Sequence, residues 1–358
     1  MDLQARLDLV REVGEEIVTA DELKQLLETK LRPIAYDGFE PSGKMHIAQG
    51  ILRAINVNKM TSAGMKFKML VANWHAWANN KLGGNLENIK TTGEYFIEVW
   101  KSTGMDLKNV EFVWASDLLD SRDYWKTVLE VSRLNTIKRV LRTSEIMGRK
   151  ESDVLHASQL IYPCMQVADI FRLEADIAQL GMDQRKVNML AREVGEKAGY
   201  WKPVVVSHHM LLGLQGPPKN ATNAEERAME MKMSKSKPDS AIFMTDSAPE
   251  VESKLSKAYC PEKTIEGNPI LEYAKYIVFE KFKSVEIKRH SKFGGDVEFQ
   301  SYSELEFAFA SGKLHPMDLK KAVAGKLNEL LAPVRAHFEN DAKAKKLVEQ
   351  VNGFEVTR

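Results

Sequence analysis

The segment Lys232-Met233-Ser234-Lys235-Ser236 concentrates groups that can hold a polyphosphate. Two ammonium groups on flexible stems can follow phosphates as they move, and serine hydroxyls and turn N–H groups add donors. A basic loop of this composition is by default a solvated surface, so its position in the fold decides its meaning. A second segment, Gly38-Phe39-Glu40-Pro41-Ser42-Gly43-Lys44, joins an apolar run ending at Tyr36 to a helical pattern from His46 onward. Gly38 and Gly43 would let the backbone take positive φ and approach a ligand closely. A helix starting near Met45 would turn free N–H groups and its positive dipole end on an anion. His46, in its first turn, would add a donor. Taken alone, the segment also fits an ordinary strand–helix turn, because it matches neither GxGxxG nor GxxxxGK[ST]. A third group is spaced along one helix. Tyr162, Gln166 and Asp169 stand at i, i+4 and i+7 and share a face. An inward-facing Gln and Asp need partners, and a zwitterionic small molecule supplies them. No Ser–His–Asp or Cys–His nucleophile arrangement is evident, and no His/Cys spacing suggests a metal ligand set.

These groups need a frame that brings residues near 40, 165 and 235 together. Short strands are expected at 34–36, 66–72, 111–115, 174–178 and 203–207. Helices are expected across 5–30, where Thr19 and Glu22 fit a capping box for the second of two, and at 46–62, 86–103 and 184–198. A long helical region, 123–168, interrupts the rhythm. The alternation predicts an α/β fold: a doubly wound, Rossmann-like parallel sheet with an inserted helical connective region. Beyond residue 248 the pattern turns mostly helical, at 250–258, 269–282, 303–311 and 316–350, which predicts a C-terminal, mostly α-helical domain. Loop 232–236 follows the last strand. It therefore reaches the carboxyl ends of the strands, where such sheets bind ligands.

The 358 residues are 44% hydrophobic and 28% charged, an ordinary globular composition that excludes a disordered or disulfide-stapled chain. The formal net charge is only +1. Residues 253–358 carry 18 basic and 15 acidic side chains, a charge of +3, which leaves −2 for the first 252. That asymmetry is small, and a polyanion would meet local patches rather than the sum. Cys164 and Cys260 are the only cysteines and are expected to be free thiols in a reducing compartment. The N-terminus has the character of neither a signal nor a transit peptide. No apolar run reaches the roughly 18–20 residues of a membrane span, so a soluble, cytoplasmic chain without membrane contact is expected.

The two phosphate-suited segments together are far more specific than either alone. Pro41-Ser-Gly-Lys-Met-His46-Ile-Ala-Gln49 after the first strand, paired with Lys232–Ser236, resembles the class I aminoacyl-tRNA synthetases of the tyrosyl and tryptophanyl subgroup. The tyrosyl-tRNA synthetase family of the archaeal and eukaryotic kind is the closer match. The resemblance runs through Tyr36-Asp-Gly-Phe-Glu-Pro-Ser-Gly43, Tyr162-Pro-Cys-Met-Gln166-Val-Ala-Asp169, Gly181-Met-Asp-Gln184-Arg-Lys and Lys292-Phe-Gly-Gly-Asp296. It covers nearly the whole chain and is most like plant and protist cytosolic members.

The resemblance implies a two-step reaction. The tyrosine carboxylate attacks the α-phosphorus of ATP and expels pyrophosphate, and tyrosyl-adenylate then acylates a ribose hydroxyl at the 3′ end of tRNA(Tyr). Positioning and stabilisation of phosphate charge would carry most of the rate. By resemblance, His46, Lys232 and Lys235 are the catalytic groups. Gly38, Ser42, Ala48, Gln49, Asp183, His208, Met233, Ser234 and Ser236 complete the ATP site, with Mg2+ carried in by ATP. Ala48 and Gln49 stand where the family has glycine and histidine, and Gln49 can donate a hydrogen bond but never carries charge. Tyr162, Gln166 and Gln184 would take the α-amino group, and Tyr36 and Asp169 the phenol. A site that hydrogen-bonds a hydroxyl rejects the analogue lacking it, an argument for which this family is the usual illustration.

The implied domains are N-terminal helices at 1–30, a catalytic domain at 31–248 and an anticodon-binding domain at 249–358. Within the catalytic domain, 118–160 would be a connective and dimer-forming region and 215–237 a loop mobile without ATP. A homodimer is expected. His75, after the second strand, could shape the pocket. Arg133, Lys138, Arg139, Arg142, Arg149 and Lys150 could meet RNA phosphates, and Asp296 a base. The rival readings are a tryptophanyl-tRNA synthetase and a non-catalytic, synthetase-like RNA-binding protein. Tyr36 and Asp169 argue against the first, and His46, Lys232 and Lys235 against the second.

Overall fold

The computed structural model describes residues 1–147, 156–218, 231, 233, 235 and 237–357. Lys232, Ser234, Ser236, Arg149, Lys150 and the 219–230 part of the segment expected to be mobile lie outside these residues.

Six strands form the main sheet: β1 (Glu16–Val18), β2 (Ile34–Phe39), β3 (Lys66–Val71), β4 (Val110–Trp114), β5 (Ile177–Ala178) and β6 (Val204–Ser207). Their order is β1-β6-β5-β2-β3-β4. β2 to β6 run parallel, and β1 closes one edge antiparallel to β6 with Ile17 opposite Val206. Alternation sets the faces. Phe67, Met69 and Val71 of β3 enter the core, while Lys68 on the other face donates to the Leu173 carbonyl at 2.8 Å. The chain steps outward from β2 through β3 to β4, then returns to lay β5 on the opposite side of β2. The carboxyl ends of β2 and β5 therefore part and leave a crevice, the switch point where doubly wound sheets bind ligands.

Helices α1 (Leu3–Val13), α2 (Ala20–Thr29), α3 (Arg53–Ser62), α4 (Asn73–Ala78) and α5 (Leu86–Ser102) accompany the first half of the sheet. α6 (Ala115–Leu119), α7 (Arg122–Arg133), α8 (Ile137–Thr143) and α9 (Ala157–Arg172) form the connection to β5, and α10 (Arg185–Gly195) follows it. The Thr19–Glu22 capping box is formed, at the start of α2. Beyond β6 come α11 (Ala248–Lys257), α12 (Pro269–Tyr273), α13 (Phe279–Lys281), α14 (Tyr302–Ala310), α15 (Pro316–Asn340) and α16 (Ala342–Asn352). A small hairpin of β7 (Val285–Ile287) and β8 (Val297–Phe299) interrupts them.

Several expectations are corrected. The 5–30 helical reading passes over β1, because Ile17 falls on a helical apolar position even though the local pair Ile17-Val18 is β-branched. No helix begins at Met45. Met45 and Ile47 are fully buried and His46 between them is not, which is a strand period. His46 bridges Phe243 in antiparallel fashion, and a π-helical turn, Ala48–Leu52, then leads into α3. Gly38 lies within β2 and does not take positive φ, whereas Gly43 does, at +123°. The strand expected at 174–178 is only Ile177–Ala178. The long C-terminal helix expected at 316–350 is two helices, since the Asp341 side chain accepts from Ala344 N–H at 2.8 Å and starts α16. The β7–β8 hairpin was not foreseen.

One apolar core runs from α1 to α16. Tyr95, Phe96, Val99 and Trp100 of α5 are fully buried in it, and Phe338 of α15 meets Tyr95 at 5.4 Å between ring centroids. Burying a side chain the size of Phe96 contributes roughly 1.5–3 kcal/mol. The helices after β6 therefore share apolar packing with the sheet-bearing part. A second core joins α7, α9 and α10 beneath the crevice.

Candidate active site

A cavity of about 540 Å3 opens at the switch point. Every expected site residue that the structure describes lines it: Tyr36, Gly38, Ser42, His46, Ala48, Gln49, Tyr162, Gln166, Asp169, Asp183, Gln184, His208, Met233 and Lys235. The sequence separates these by up to 199 positions, and three structural devices bring them together. β2 delivers Tyr36 and Gly38 at its carboxyl end. The face of α9 presents Tyr162, Gln166 and Asp169, which is the i, i+4, i+7 spacing realised. The segment from residue 241 pairs with the 45–47 stretch, since Ile47 N–H donates to the Ile242 carbonyl at 2.9 Å and Met244 N–H to the Met45 carbonyl at 2.8 Å. That pairing ties the end of the Lys235 loop to His46.

The deep end is buried and polar. Asp169 is 1% exposed. Its Oδ1 accepts from the Tyr124 hydroxyl at 2.8 Å, and its Oδ2 lies 2.8 Å from His75 Nε2, an ion-pair approach rather than an aligned hydrogen bond. Burial disfavours the His75 imidazolium, but the Asp169 charge outweighs it and raises the imidazole pKa. A carboxylate offers about four lone-pair sites, so Asp169 keeps acceptor capacity for a ligand. The Tyr36 hydroxyl is buried with no hydrogen-bond partner among the described residues. Burial, reinforced by Asp169, keeps it protonated well above the usual phenol range. Gln166 Nε2 donates to Gln184 Oε1 at 3.1 Å, and Gln184 Nε2 donates to the Ile146 carbonyl at 3.1 Å. Tyr162 is buried and bonds Glu40, and burial and that carboxylate raise its pKa. The deep end thus offers one hydroxyl without a partner among the described residues and one anchored carboxylate, beside a cluster of amide and carboxylate oxygens suited to an ammonium.

The open end is suited to phosphate. Lys235 Nζ donates to Ser42 Oγ at 3.1 Å and stands 4.6 Å from the Phe96 ring centroid. Burial, then the neighbouring Lys81, push its pKa down to about 7. Gly43 needs to be glycine, because a Cβ there would come 2.9 Å from Val356 Cγ2 as well as carrying positive φ. His208 is held neutral by burial and by Arg53. Gln179 Nε2 reaches its Nδ1 at 3.0 Å, which makes Nδ1 the acceptor and places the ring hydrogen on Nε2. Behind it, Arg53 Nη1 donates to Asp37 Oδ2 at 2.6 Å with both side chains buried. Burial nevertheless lifts the Asp37 carboxyl to about 7.

Sequence reasoning missed several residues of this site. Glu40 sits inside a quoted motif yet had no role, and here it accepts from Asn79 Nδ2 at 3.0 Å and lies 3.8 Å from Lys81 Nζ. Tyr124 carries no local signal, since its partner is 45 residues away. The least foreseeable are Val356 and Thr357, which also line the cavity. The Thr357 hydroxyl donates to the Asn80 carbonyl at 2.8 Å and accepts from Gly83 N–H at 3.1 Å. It thereby clips a turn in which Asn80, Leu82, Gly83 and Gly84 all have positive φ. Cys164 and Cys260 are buried free thiols with raised pKa, consistent with inert core positions.

Comparison with known proteins adds three findings. The family model described as tRNA synthetases class I (W and Y) matches residues 28–332. Tyrosine–tRNA ligase 1, cytoplasmic, of Arabidopsis thaliana is 51% identical over 360 residues, spanning 100% of this chain and 90% of that protein. Tyrosine–tRNA ligase 2, cytoplasmic, of the same plant is 52% identical, but the chain spans only 46% of its length. Among solved structures, tyrosyl-tRNA synthetase from Pyrococcus horikoshii complexed with L-tyrosine superposes with a TM-score of 0.90 at 41% identity, covering 98% of this chain and 100% of that one.

Proposed function

The chain belongs to the class I tRNA synthetases of the tryptophan and tyrosine group, and from that premise we propose how its cavity works as a tyrosine–tRNA ligase. One observation carries the choice of tyrosine: the buried Tyr36 hydroxyl, unpartnered among the described residues, beside an Asp169 fixed by Tyr124 and His75. The substrate phenol donates to Asp169 and accepts from Tyr36. Phenylalanine would bring no partner to the Tyr36 hydroxyl and no further donor to Asp169, forgoing about 0.5–1.5 kcal/mol for the neutral hydrogen bond and about 1.5–3 kcal/mol for the one to the charged group. Gln166, Gln184 and Tyr162 surround the α-ammonium, with Glu40 supplying negative charge beside Tyr162.

ATP, taken as its magnesium complex, occupies the open end. Its adenine lies near Ala48 and His208 and its ribose near Asp183. The tyrosine carboxylate oxygen attacks the α-phosphorus, the bond to the bridging oxygen breaks, and pyrophosphate leaves with the electron pair. His46, Lys232 and Lys235 balance the charge that builds on the phosphates. Lys235 starts partly buried against Ser42 and Phe96, and arrival of phosphate favours its charged form, so binding draws it into the role. A ribose hydroxyl at the tRNA 3′ end then displaces AMP from the acyl carbon.

tRNA and a second copy of the chain are the proposed partners. Trp125, Leu129, Ile137 and Ile161 on α7, the start of α8 and α9 are large apolar side chains left 39–73% exposed. They support homodimerisation through this connective region. Arg133, Lys138, Arg139 and Arg142 nearby supply charge for the acceptor stem. The helices after residue 248 are the proposed anticodon reader, with the exposed Asp296 among the groups available to a base. No described helix is long and apolar enough to cross a membrane, and a cytoplasmic location is proposed in line with the plant relatives. Charging of tRNA tests the whole reading. The chain should attach labelled tyrosine, and not tryptophan, to unfractionated tRNA, and attachment of tryptophan instead would refute it.

A further inference from the structure

The segment between β6 and the Lys235 loop forms one wall of the open end, where His208, His209, Met210 and Leu211 line the cavity. Just beyond it, both backbone polar groups of Leu212 are taken by side chains of α12. Leu212 N–H donates to Glu272 Oε2 at 2.9 Å, and the Tyr273 hydroxyl donates to the Leu212 carbonyl at 2.8 Å. The neighbouring His209 is held on three sides. Its Nδ1 is 3.0 Å from Glu15 Oε2, its Nε2 is 3.2 Å from Glu272 Oε2, and its ring stacks on Tyr276 with centroids 4.3 Å apart. Burial opposes the His209 imidazolium, but Glu272 and Glu15 outweigh it and raise the pKa. Tyr273 is fully buried. A backbone segment carries one donor and one acceptor per residue, and fixing both on rigid side chains removes the peptide's freedom to shift. Side chains held through such supporting contacts keep the geometry that a binding site needs.

We propose that Glu272 and Tyr273 are positioning residues for nucleotide binding. They hold Leu212, and through it the wall at 208–211, although neither touches the ligand. The inference rests on the reading of the open end as the ATP site. It makes the helices after residue 248 part of that site's support: a shift of α12 moves the wall with it. The deep end is built on β2, α9 and the turn at Gln184, so tyrosine binding is independent of this joint.

Calorimetric titration of the full chain with the magnesium complex of a non-hydrolysable ATP analogue, and separately with tyrosine, tests it. Glu272→Ala should weaken analogue binding about tenfold and leave tyrosine binding within about twofold. Glu272→Gln, whose amide oxygen can still accept from Leu212 N–H, should restore affinity to within about threefold. Tyr273→Phe keeps the buried ring and removes only the hydroxyl, so it tests the carbonyl contact without opening a cavity. It should weaken the analogue about fivefold. Unchanged analogue affinity in both Glu272→Ala and Tyr273→Phe overturns the inference. So does an equal loss for analogue and tyrosine, which would mark a general structural role. Failure of the unaltered chain to bind the analogue removes the ATP reading and this inference with it. Binding of the analogue but not of tyrosine contradicts the proposed function alone.

Discussion

Replacing Tyr36 by Phe should change activity and stability in opposite directions. The hydroxyl is buried and without a hydrogen-bond partner among the described residues, so deleting it removes a polar group that they leave unsatisfied. The variant should melt at the same temperature as the parent or higher. Tyrosine would lose one neutral hydrogen bond, worth about 0.5–1.5 kcal/mol. The Tyr/Phe ratio of kcat/KM should fall by that amount, about two- to twelvefold. Asp169→Asn is the companion. A single amide oxygen cannot replace the carboxylate toward Tyr124, His75 and the substrate at once. The charged contact to the phenol, worth roughly 1.5–3 kcal/mol, is lost with it. ATP–pyrophosphate exchange with each amino acid and a thermal melt of each variant supply the numbers. An unchanged Tyr/Phe ratio in both variants would show that the phenol binds elsewhere. A lower melting temperature for Tyr36→Phe would show that the hydroxyl has a partner in the folded chain.

The pKa of Lys235, about 7, lies below its ordinary 10.5. Its burial therefore costs stability in full below pH 7, and that cost fades as pH rises from 7 to 10.5. Lys235→Met should raise the melting temperature at pH 6, change it little at pH 10 and slow exchange at both. The Thr357 hydroxyl bonds both sides of the left-handed turn, so Thr357→Val should speed deuterium exchange at the Gly83 amide while leaving α5 protected. Leu129 is 69% exposed, and Leu129→Glu should convert a dimer to monomers in sedimentation at micromolar concentration without lowering the melting temperature by more than a few degrees. Monomers in the parent chain would refute the dimer reading.

What could be read from sequence was what depends on local spacing. Tyr162, Gln166 and Asp169 share a face because three positions on one helix leave no other outcome. The parallel sheet followed from short strands alternating with helices, whereas the strand order that opens the crevice did not. His46 was placed in the cavity but in the wrong element. A two-residue apolar alternation at Met45 and Ile47 is too short to separate strand from helix, and only the pairing with residues 242–244 decides it. Gly38 was misread for a related reason, since a glycine at a strand end carries no mark of its φ. The rest was hidden because it is tertiary. Arg53 on a helix after the turn meets Asp37 on the strand before it, Tyr124 meets Asp169 across two helices, and Thr357 returns to Asn80 across 277 positions. No period or motif encodes such a meeting. Burial pressure on polar side chains creates it once the elements have packed.

The central claim is that the deep end accepts tyrosine for activation at the open end. Amino-acid-dependent ATP–pyrophosphate exchange measures this most directly, because it needs both ends and no tRNA. Tyrosine should drive exchange at a rate that phenylalanine and tryptophan do not approach at equal concentration. Exchange driven by tryptophan, or none with tyrosine under conditions in which the chain is folded and binds ATP, would contradict it.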